Sequence, residues 1–281
     1  MRASQHAPDR TDRGNDQASN PTVILAYTRA VSPTLAECEL THLDRVSIDL
    51  ARAIAEHLAY ERALRRLGAQ VRRLRSAPQH PDAVFVEDMA VVLGDVAIVT
   101  RPGAESRRGE RRAVAEALAA HRRIEIVTEP ATLDGGDVLV DGERVYVGRS
   151  SRTNEAALAQ LATMLHPLGY RVIPIEFAGC LHLKSAVTRL ADGLLLLNPD
   201  WVEASVFPGA RIVQVDPAEP HAANALPLGG AVIHPLQFPR TRARLEAEGL
   251  RVEPVDTTEL SKAEAGVTCC SLLVRVGRRE A

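Results

Sequence analysis

Gly136-Asp137-Val138-Leu139-Val140-Asp141-Gly142-Glu143-Arg144-Val145-Tyr146-Val147-Gly148 reads as two short strands joined by a tight turn. Apolar residues of high strand propensity flank Asp141-Gly142, and an Asp-Gly pair in that setting is a strong hairpin signal. A helical segment from Asn154 to Leu165 follows, and then a third strand-like run, Arg171-Val172-Ile173. The same order stands upstream. Glu87 to Leu93, a Gly94-Asp95 turn and Val96 to Thr100 precede a helix from about Arg108 to Ala120 and the run Glu125-Ile126-Val127. It recurs downstream from Leu181 to Leu190, with Asp192-Gly193 turning into Leu194 to Leu197 and Arg211 to Val215 beyond. A fourth copy runs through Ala225-Leu226-Pro227-Leu228, Gly229-Gly230, Ala231 to Ile233 and a helix from Arg240 to Glu248. A fifth begins at Cys269 and gives Ser271 to Val276.

The units start near Glu87, Asp134, His182, Asn224 and Cys269, separated by 47, 48, 42 and 45 residues. A period of roughly 45 residues signals one repeated supersecondary unit, here ββαβ. Five copies closing into a ring hide their sheet edges, which predicts an α/β propeller with a pseudo-fivefold axis. One copy is split: its first strand lies at the C-terminal end, and the rest comes from Val23-Ile24-Leu25-Ala26-Tyr27 and the segment Asp44 to Leu67. That segment carries Val46, Leu50, Ile54 and Leu58 at helical spacing, with Gly68 just past its end, which predicts a long helix buried on that stripe.

Composition narrows the class. The chain has 281 residues, with 46% hydrophobic and 25% charged, an ordinary globular balance. A formal net charge of −2 offers no bulk attraction to nucleic acid or an anionic membrane. No apolar run is long enough to span a bilayer, and residues 1–20 are polar, predicting a disordered tail without a secretory signal ahead of a single domain over 21–281. Four cysteines, two of them adjacent, do not make a disulfide framework and fit a reducing, cytoplasmic setting.

In a ring of like units, equivalent strand starts converge at one end of the central channel. Glu87, Asp134, His182 and Cys269 therefore meet although the first and last are 182 residues apart. An acid, a histidine and a cysteine at element edges are the parts of a cysteine-nucleophile site. Strand alternation would send Cys270 to the opposite face from Cys269. Cys38, Cys180 and Cys270 read as core residues, Asp137 as structural, and the arginines of the long helix as a solvated face.

The motifs resemble one family. Asp82-Ala83-Val84-Phe85-Val86-Glu87-Asp88, Thr100-Arg101-Pro102-Gly103 with Ser106-Arg107-Arg108, and Ala131-Thr132-Leu133-Asp134-Gly135-Gly136-Asp137-Val138-Leu139 are similar to segments of the dimethylarginine dimethylaminohydrolases. So are Arg152-Thr153-Asn154, Leu181-His182-Leu183-Lys184-Ser185, Ala222-Ala223-Asn224 and Thr268-Cys269-Cys270-Ser271, in family order from about residue 22 to the C-terminus. The resemblance implies the five-bladed α/β propeller of the guanidino-group-modifying (pentein) superfamily. It implies hydrolysis of Nω-methylated L-arginine to L-citrulline and an amine through a covalent thiouronium on Cys269, with His182 as acid and base and Asp134 hydrogen-bonded to it. It further implies guanidinium contacts from Glu87 and Asp88, carboxylate contacts from Arg107 and Arg152, and an ammonium contact from Asp82. Backbone carbonyls at Leu40 and Ala263 complete the set. No metal and no cofactor is implied. The expected partner is a small guanidino amino acid, with neither nucleic acid nor membrane, and a homodimer is the expected assembly although no interface can be read.

Two departures stand out against that resemblance. Two residues are inserted before His182, within Glu176-Phe177-Ala178-Gly179-Cys180, relative to mammalian relatives, and Ala263 stands where a larger residue is common, which would widen the substrate mouth. Two rival readings follow from the fold: a deiminase-like hydrolase of unmethylated or otherwise substituted arginine, and a non-catalytic ribosome anti-association protein. The second predicts no cysteine, histidine and acid at equivalent starts.

Overall fold

A computed structural model describes residues 22–277 of the chain; the expected disordered tail at 1–20 lies outside them. The strands are β1 (Thr22–Thr28), β2 (Ala69–Arg73), β3 (Ala90–Leu93), β4 (Val96–Val99), β5 (Arg123–Ile126), β6 (Val138–Asp141), β7 (Arg144–Gly148) and β8 (Arg171–Ile175). They continue with β9 (Val187–Ala191), β10 (Leu194–Leu197), β11 (Arg211–Gln214), β12 (Leu226–Leu228), β13 (Ala231–Pro235), β14 (Val252–Val255) and β15 (Leu272–Gly277). The helices are α1 (Leu50–Arg66), α2 (Arg111–Ala119), α3 (Glu155–Leu165), α4 (Leu183–Ala186), α5 (Pro239–Ala247) and α6 (Thr258–Ser261).

Fifteen strands form five sheets of three, β15-β1-β2, β3-β4-β5, β6-β7-β8, β9-β10-β11 and β12-β13-β14. In every sheet the first two strands are antiparallel and the third is parallel to the second. The antiparallel pair closes through a tight turn, and the parallel return needs a crossover. The hairpin glycines Gly94, Gly142, Gly193 and Gly229 have φ of 46, 58, 64 and 56°, a left-handed backbone that glycine enters at little cost. The fold is a five-bladed α/β propeller. β15 pairs with β1, Thr22 opposite Gly277 and Tyr27 opposite Leu272, so the split copy closes the ring. The crossover is helical in four blades; between β10 and β11 only a single 3-10 turn, Ala204–Val206, is present.

The core lies between neighbouring blades. Val91, Val96 and Ile98 of the second sheet share a cluster with Val138, Val145 and Val147 of the third and with Leu161 and Leu165 of α3. Leu139 and Tyr146 on the other face of the third sheet pack with Val187, Leu195 and Phe207. The Tyr146 and Phe207 rings meet edge-on, 4.9 Å apart, an arrangement that adds about 1 kcal/mol to the burial itself.

The long helix departs from expectation. Residues 44–49 are not helical; α1 starts at Leu50, with the Asp49 side chain accepting the Arg52 N–H as N-cap. The predicted stripe faces outward: Val46, Ile54 and Leu58 are 52, 41 and 37% exposed. The buried face carries Ala53, Glu56, His57, Tyr60, Glu61, Ala63 and Leu64. Its two acids are matched. Glu56 accepts the Glu259 and Leu260 amides, and Glu61 accepts Thr28 Oγ1 and two bonds from Arg73. Alanines allow close approach and both acids find donors that offset their burial in part, although burial still raises the Glu56 pKa. No helix among the described residues is long and apolar enough to cross a membrane.

Candidate active site

The chemistry-bearing residues sit one step earlier than predicted. Glu87 and Asp88 are not on a strand but in the 3-10 turn Val86–Met89 that precedes β3. Asp134 precedes the 3-10 turn Gly135–Asp137 ahead of β6, and His182 precedes the single helical turn α4 ahead of β9. Cys269 and Cys270 lie in a turn before β15, so it is turn geometry rather than strand alternation that separates the two thiols. Cys270 points into the core beside Tyr60 and Leu64, and Cys269 packs at its margin. Helical turns gather backbone N–H groups at the ring's mouth, where a strand would commit them to a ladder.

These turns are stitched to one another around the ring. The Glu87 N–H donates to the Cys269 carbonyl at 3.1 Å. Asp88 Oδ1 accepts the Gly136 N–H at 2.9 Å, and Asp137 Oδ1 accepts the Leu183 N–H at 3.0 Å. Asn224 Nδ2 donates to the Lys184 carbonyl at 2.9 Å and to Thr268 Oγ1 at 3.0 Å, while its Oδ1 accepts the Thr268 N–H. Five blades are thus linked in sequence and the last returns to the first. The Gly135-Gly136 pair is required sterically: a Cβ at Gly135 would meet the Glu87 carbonyl oxygen at 2.1 Å, and one at Gly136 would meet His182 Nδ1 at 2.6 Å.

His182 is buried between three carboxylates. Its Nε2 lies 3.1 Å from Asp134 Oδ2 and its Nδ1 lies 3.9 Å from Asp88 Oδ1. Burial pulls its pKa down, but Asp88, Asp137 and Asp134 together outweigh burial and raise it to about 9. Asp134 is oriented in turn by the Gly103 N–H, which donates to its Oδ1 at 2.9 Å. Cys269 Sγ accepts the Gly266 N–H at 3.3 Å. Burial first, then the Glu87 and Asp88 charges, push this thiol up to about 12, against the opposing Gly266 amide and Lys184. Without a further positive charge the sulfur is a thiol at neutral pH. Asp88, Asp134 and His182 bring one ligand atom each within 4.8 Å of one another, the spacing of a metal site. Their atoms are already committed to Arg107, Gly136, Gly103 and each other.

A small cavity of about 20 Å³ is walled by Cys269, His182, Asp82, Asp88, Arg107, Arg152 and Ala263, together with Glu39, Phe85, Leu181, Glu264 and Ala265. Seven of the ten expected catalytic and substrate residues line it. Asp134 stands behind His182. Glu87 and Leu40 are elsewhere: Leu40 packs against the core under α1, and Glu87 faces the other side, toward a lower cavity of about 290 Å³. The Glu87 oxygens are held by Lys184 Nζ and by Thr268 Oγ1.

Arg107 is more constrained than a free binding residue. Its Nη1 donates to Asp88 at 2.7 Å, its Nη2 to the Phe85 and Asp82 carbonyls and Glu110, and its Nε to Glu110. Arg152 is 8% exposed, has no carboxylate partner among the described residues, and donates from Nη2 only to Thr41 Oγ1, at 3.2 Å. A buried arginine without a counter-ion is costly unless a ligand supplies one. Asp82 has its pKa raised to about 6, chiefly by burial, and its Oδ2 accepts the Glu39 N–H. Asp137 behaves as the structural acid expected, taking Ser150, Thr153 and Leu183 as donors. Lys184, Thr268 and Asn224 were not assigned roles from sequence, although each lies inside a quoted motif. Glu264 and Gly266 carried no signal at all.

A ring of five ββαβ blades with a thiol, an imidazole and carboxylates on separate blades at one mouth defines the guanidino-group-modifying propellers. Residues 41–202 match the family model described as N,N dimethylarginine dimethylhydrolase, eukaryotic. The N(G),N(G)-dimethylarginine dimethylaminohydrolase of Streptomyces coelicolor is 42% identical, over 89% of this chain and 96% of that one. Among solved structures, a cysteine-to-serine mutant of the Pseudomonas aeruginosa enzyme complexed with citrulline superposes with a TM-score of 0.85 at 32% identity, covering 90% of this chain and 100% of that one. A histidine-to-glycine dimethylarginine dimethylaminohydrolase, as its adduct with S-methyl-L-thiocitrulline, gives 0.84 at 33% identity, covering 89% and 98%. The chain belongs to the dimethylarginine dimethylaminohydrolase family.

Proposed function

We propose that this protein hydrolyses Nω-methylated L-arginine to L-citrulline and dimethylamine or methylamine. One observation carries the reading: one small cavity presents a thiol, an imidazole, four acids and two arginines. That set complements a zwitterionic amino acid with a cationic planar head. Asp88, with Glu87 beside it in the chain, would draw the guanidinium toward Cys269, Arg152 and Arg107 would meet the α-carboxylate, and Asp82 the α-ammonium. Ala263 and Leu40 would contribute main-chain carbonyls.

The guanidinium supplies the positive charge that the Cys269 thiol lacks, so binding itself favours the thiolate. Sulfur attacks the guanidinium carbon and a tetrahedral intermediate forms. The C–N bond to the alkylated nitrogen then breaks, and His182, already protonated, gives that nitrogen its proton. Water then adds to the S-alkylthiouronium carbon as its proton passes to His182, the C–S bond breaks to restore the Cys269 sulfur, and citrulline leaves. Asp134 holds the imidazole in register. No cofactor enters these steps. The assembly we propose is a homodimer; a monomeric mass in solution would reject it.

Purified protein incubated with asymmetric dimethylarginine, monomethylarginine and arginine tests the reading. Citrulline release from the methylated substrates is expected to exceed that from arginine by at least tenfold in kcat/KM, the scale on which one methyl group is discriminated. Equal or faster turnover of arginine would establish the deiminase-like alternative instead.

A further inference from the structure

Glu264 lies between Ala263 and Ala265 in the cavity wall, and is the only non-glycine residue of positive φ, 56°, among the described residues. Outside glycine this backbone is uncommon and costly, and it persists where surrounding contacts enforce it. Its carboxylate accepts three successive amides from the far end of the chain. The Thr41 N–H lies 3.1 Å from both oxygens, and the His42 and Leu43 N–H groups lie 2.5 and 2.6 Å from Oε1. Consecutive amides converging on one anion form a nest. The segment they belong to, residues 39–49, has no helix or strand. It is joined to the substrate residues as well: the Glu39 N–H donates to Asp82, and Arg152 donates to Thr41 Oγ1.

The cavity beneath holds about 20 Å³, room for roughly one water, so no amino acid enters until a wall moves. Asp88, His182 and Cys269 stand on turns stitched into the ring and are poor candidates. The 39–43 segment is different. Leu43 and Val46 are 38 and 52% exposed, and a second cavity of about 470 Å³ lies against them. Leu40 anchors the segment on the core, but Thr41, His42 and Leu43 beyond it are exposed and held by hydrogen bonds, so water can replace the carboxylate there without unfolding anything.

We propose that Glu264 is a positioning residue, the latch that holds segment 39–43 closed over the catalytic cavity and must release for substrate to enter. The strained backbone aims the carboxylate at the nest. Its neighbours, the Ala263 carbonyl and the Gly266 amide on Cys269, tie the latch to the reacting end of the site. The kinetic arm of the test rests on the substrate reading above; the exchange and alkylation arms do not.

The variants are Glu264→Gly, whose backbone accepts the observed φ without strain, and Glu264→Gln, which keeps the shape and removes the charge. Hydrogen exchange of the intact protein should show amides 41–43 exchanging roughly tenfold faster, with the blades unchanged, as expected for losing a charge-assisted bond. Iodoacetamide should label Cys269 faster by a similar factor, and KM for asymmetric dimethylarginine should rise more than kcat falls. Unchanged exchange at 41–43 in both variants overturns the latch. So does faster exchange across all blades, which makes Glu264 a residue of general stability. Faster local exchange and labelling, in a protein that hydrolyses no methylarginine, supports the latch and rejects the substrate reading alone.

Discussion

Cys269→Ala should abolish citrulline release, by about 10⁵-fold or more, because the covalent route has no other nucleophile and loss of one member of such a set removes most of its combined effect. Cys270→Ala should keep most activity. Its sulfur is buried in the core beneath α1 and has only a weak 3.9 Å contact with the Gly266 carbonyl, so truncation there should cost about 1–2 kcal/mol of stability instead. The pair of variants separates chemistry from packing at adjacent positions. A second consequence follows from the thiol's pKa, about 12: iodoacetamide should label free Cys269 slowly at neutral pH and faster as pH rises. Citrulline release by the alanine variant above one per cent of the parent rate would reject Cys269 as the nucleophile. Rapid labelling at pH 7 would reject the claim that the substrate's own cation makes the thiolate.

His182→Gln should lower kcat by about 10²–10⁴-fold, the usual worth of a positioned acid and base. The pH dependence sharpens the expectation. With its pKa near 9, raised by Asp88, Asp137 and Asp134 against burial, His182 is cationic throughout the neutral range. The acid for the leaving amine is therefore in place before substrate arrives, and kcat/KM should fall as pH climbs through about 9. Stability follows the same sign. The folded pKa lies above the unfolded value near 6.5, so the stabilisation is full below pH 6.5 and is lost as pH rises through 9, by roughly 3 kcal/mol at most. The glutamine variant should lose this slope. A variant with parental kcat, or an unaltered alkaline limb, removes His182 from the mechanism.

The repeat was readable because each blade announces itself locally, by a glycine turn between two apolar runs. The repeat alone brings Asp134, His182 and Cys269 to one mouth, whereas Glu87, expected with them, faces the other side. What failed did so for identifiable reasons. The helical turns ahead of β3, β6 and β9 and the plain turn ahead of β15 are too short to show a helical period, so the sequence sets Glu87, Asp134, His182 and Cys269 at strand starts. The α1 stripe was chosen by side-chain size, whereas alanines and acids with distant partners decided which face is buried. The Glu87–Lys184 pair and the Glu264 latch join residues far apart in the chain, and no local pattern predicts either pairing.

The return of β15 to β1 also sets a timetable for making the enzyme. β1 is synthesised some 240 residues before its partner, with Cys269 only three residues ahead of that closing strand. At ordinary elongation rates the wait is roughly 10–50 s, during which one β1 edge stands unpaired and exposed to association with other chains. Among the cavity's site residues Cys269 is made after the acids and the imidazole, and the strand that closes the ring follows directly on the turn that carries it. A nascent or truncated chain thus carries the acid and the imidazole without the sulfur, and catalytic competence arrives together with the closed ring.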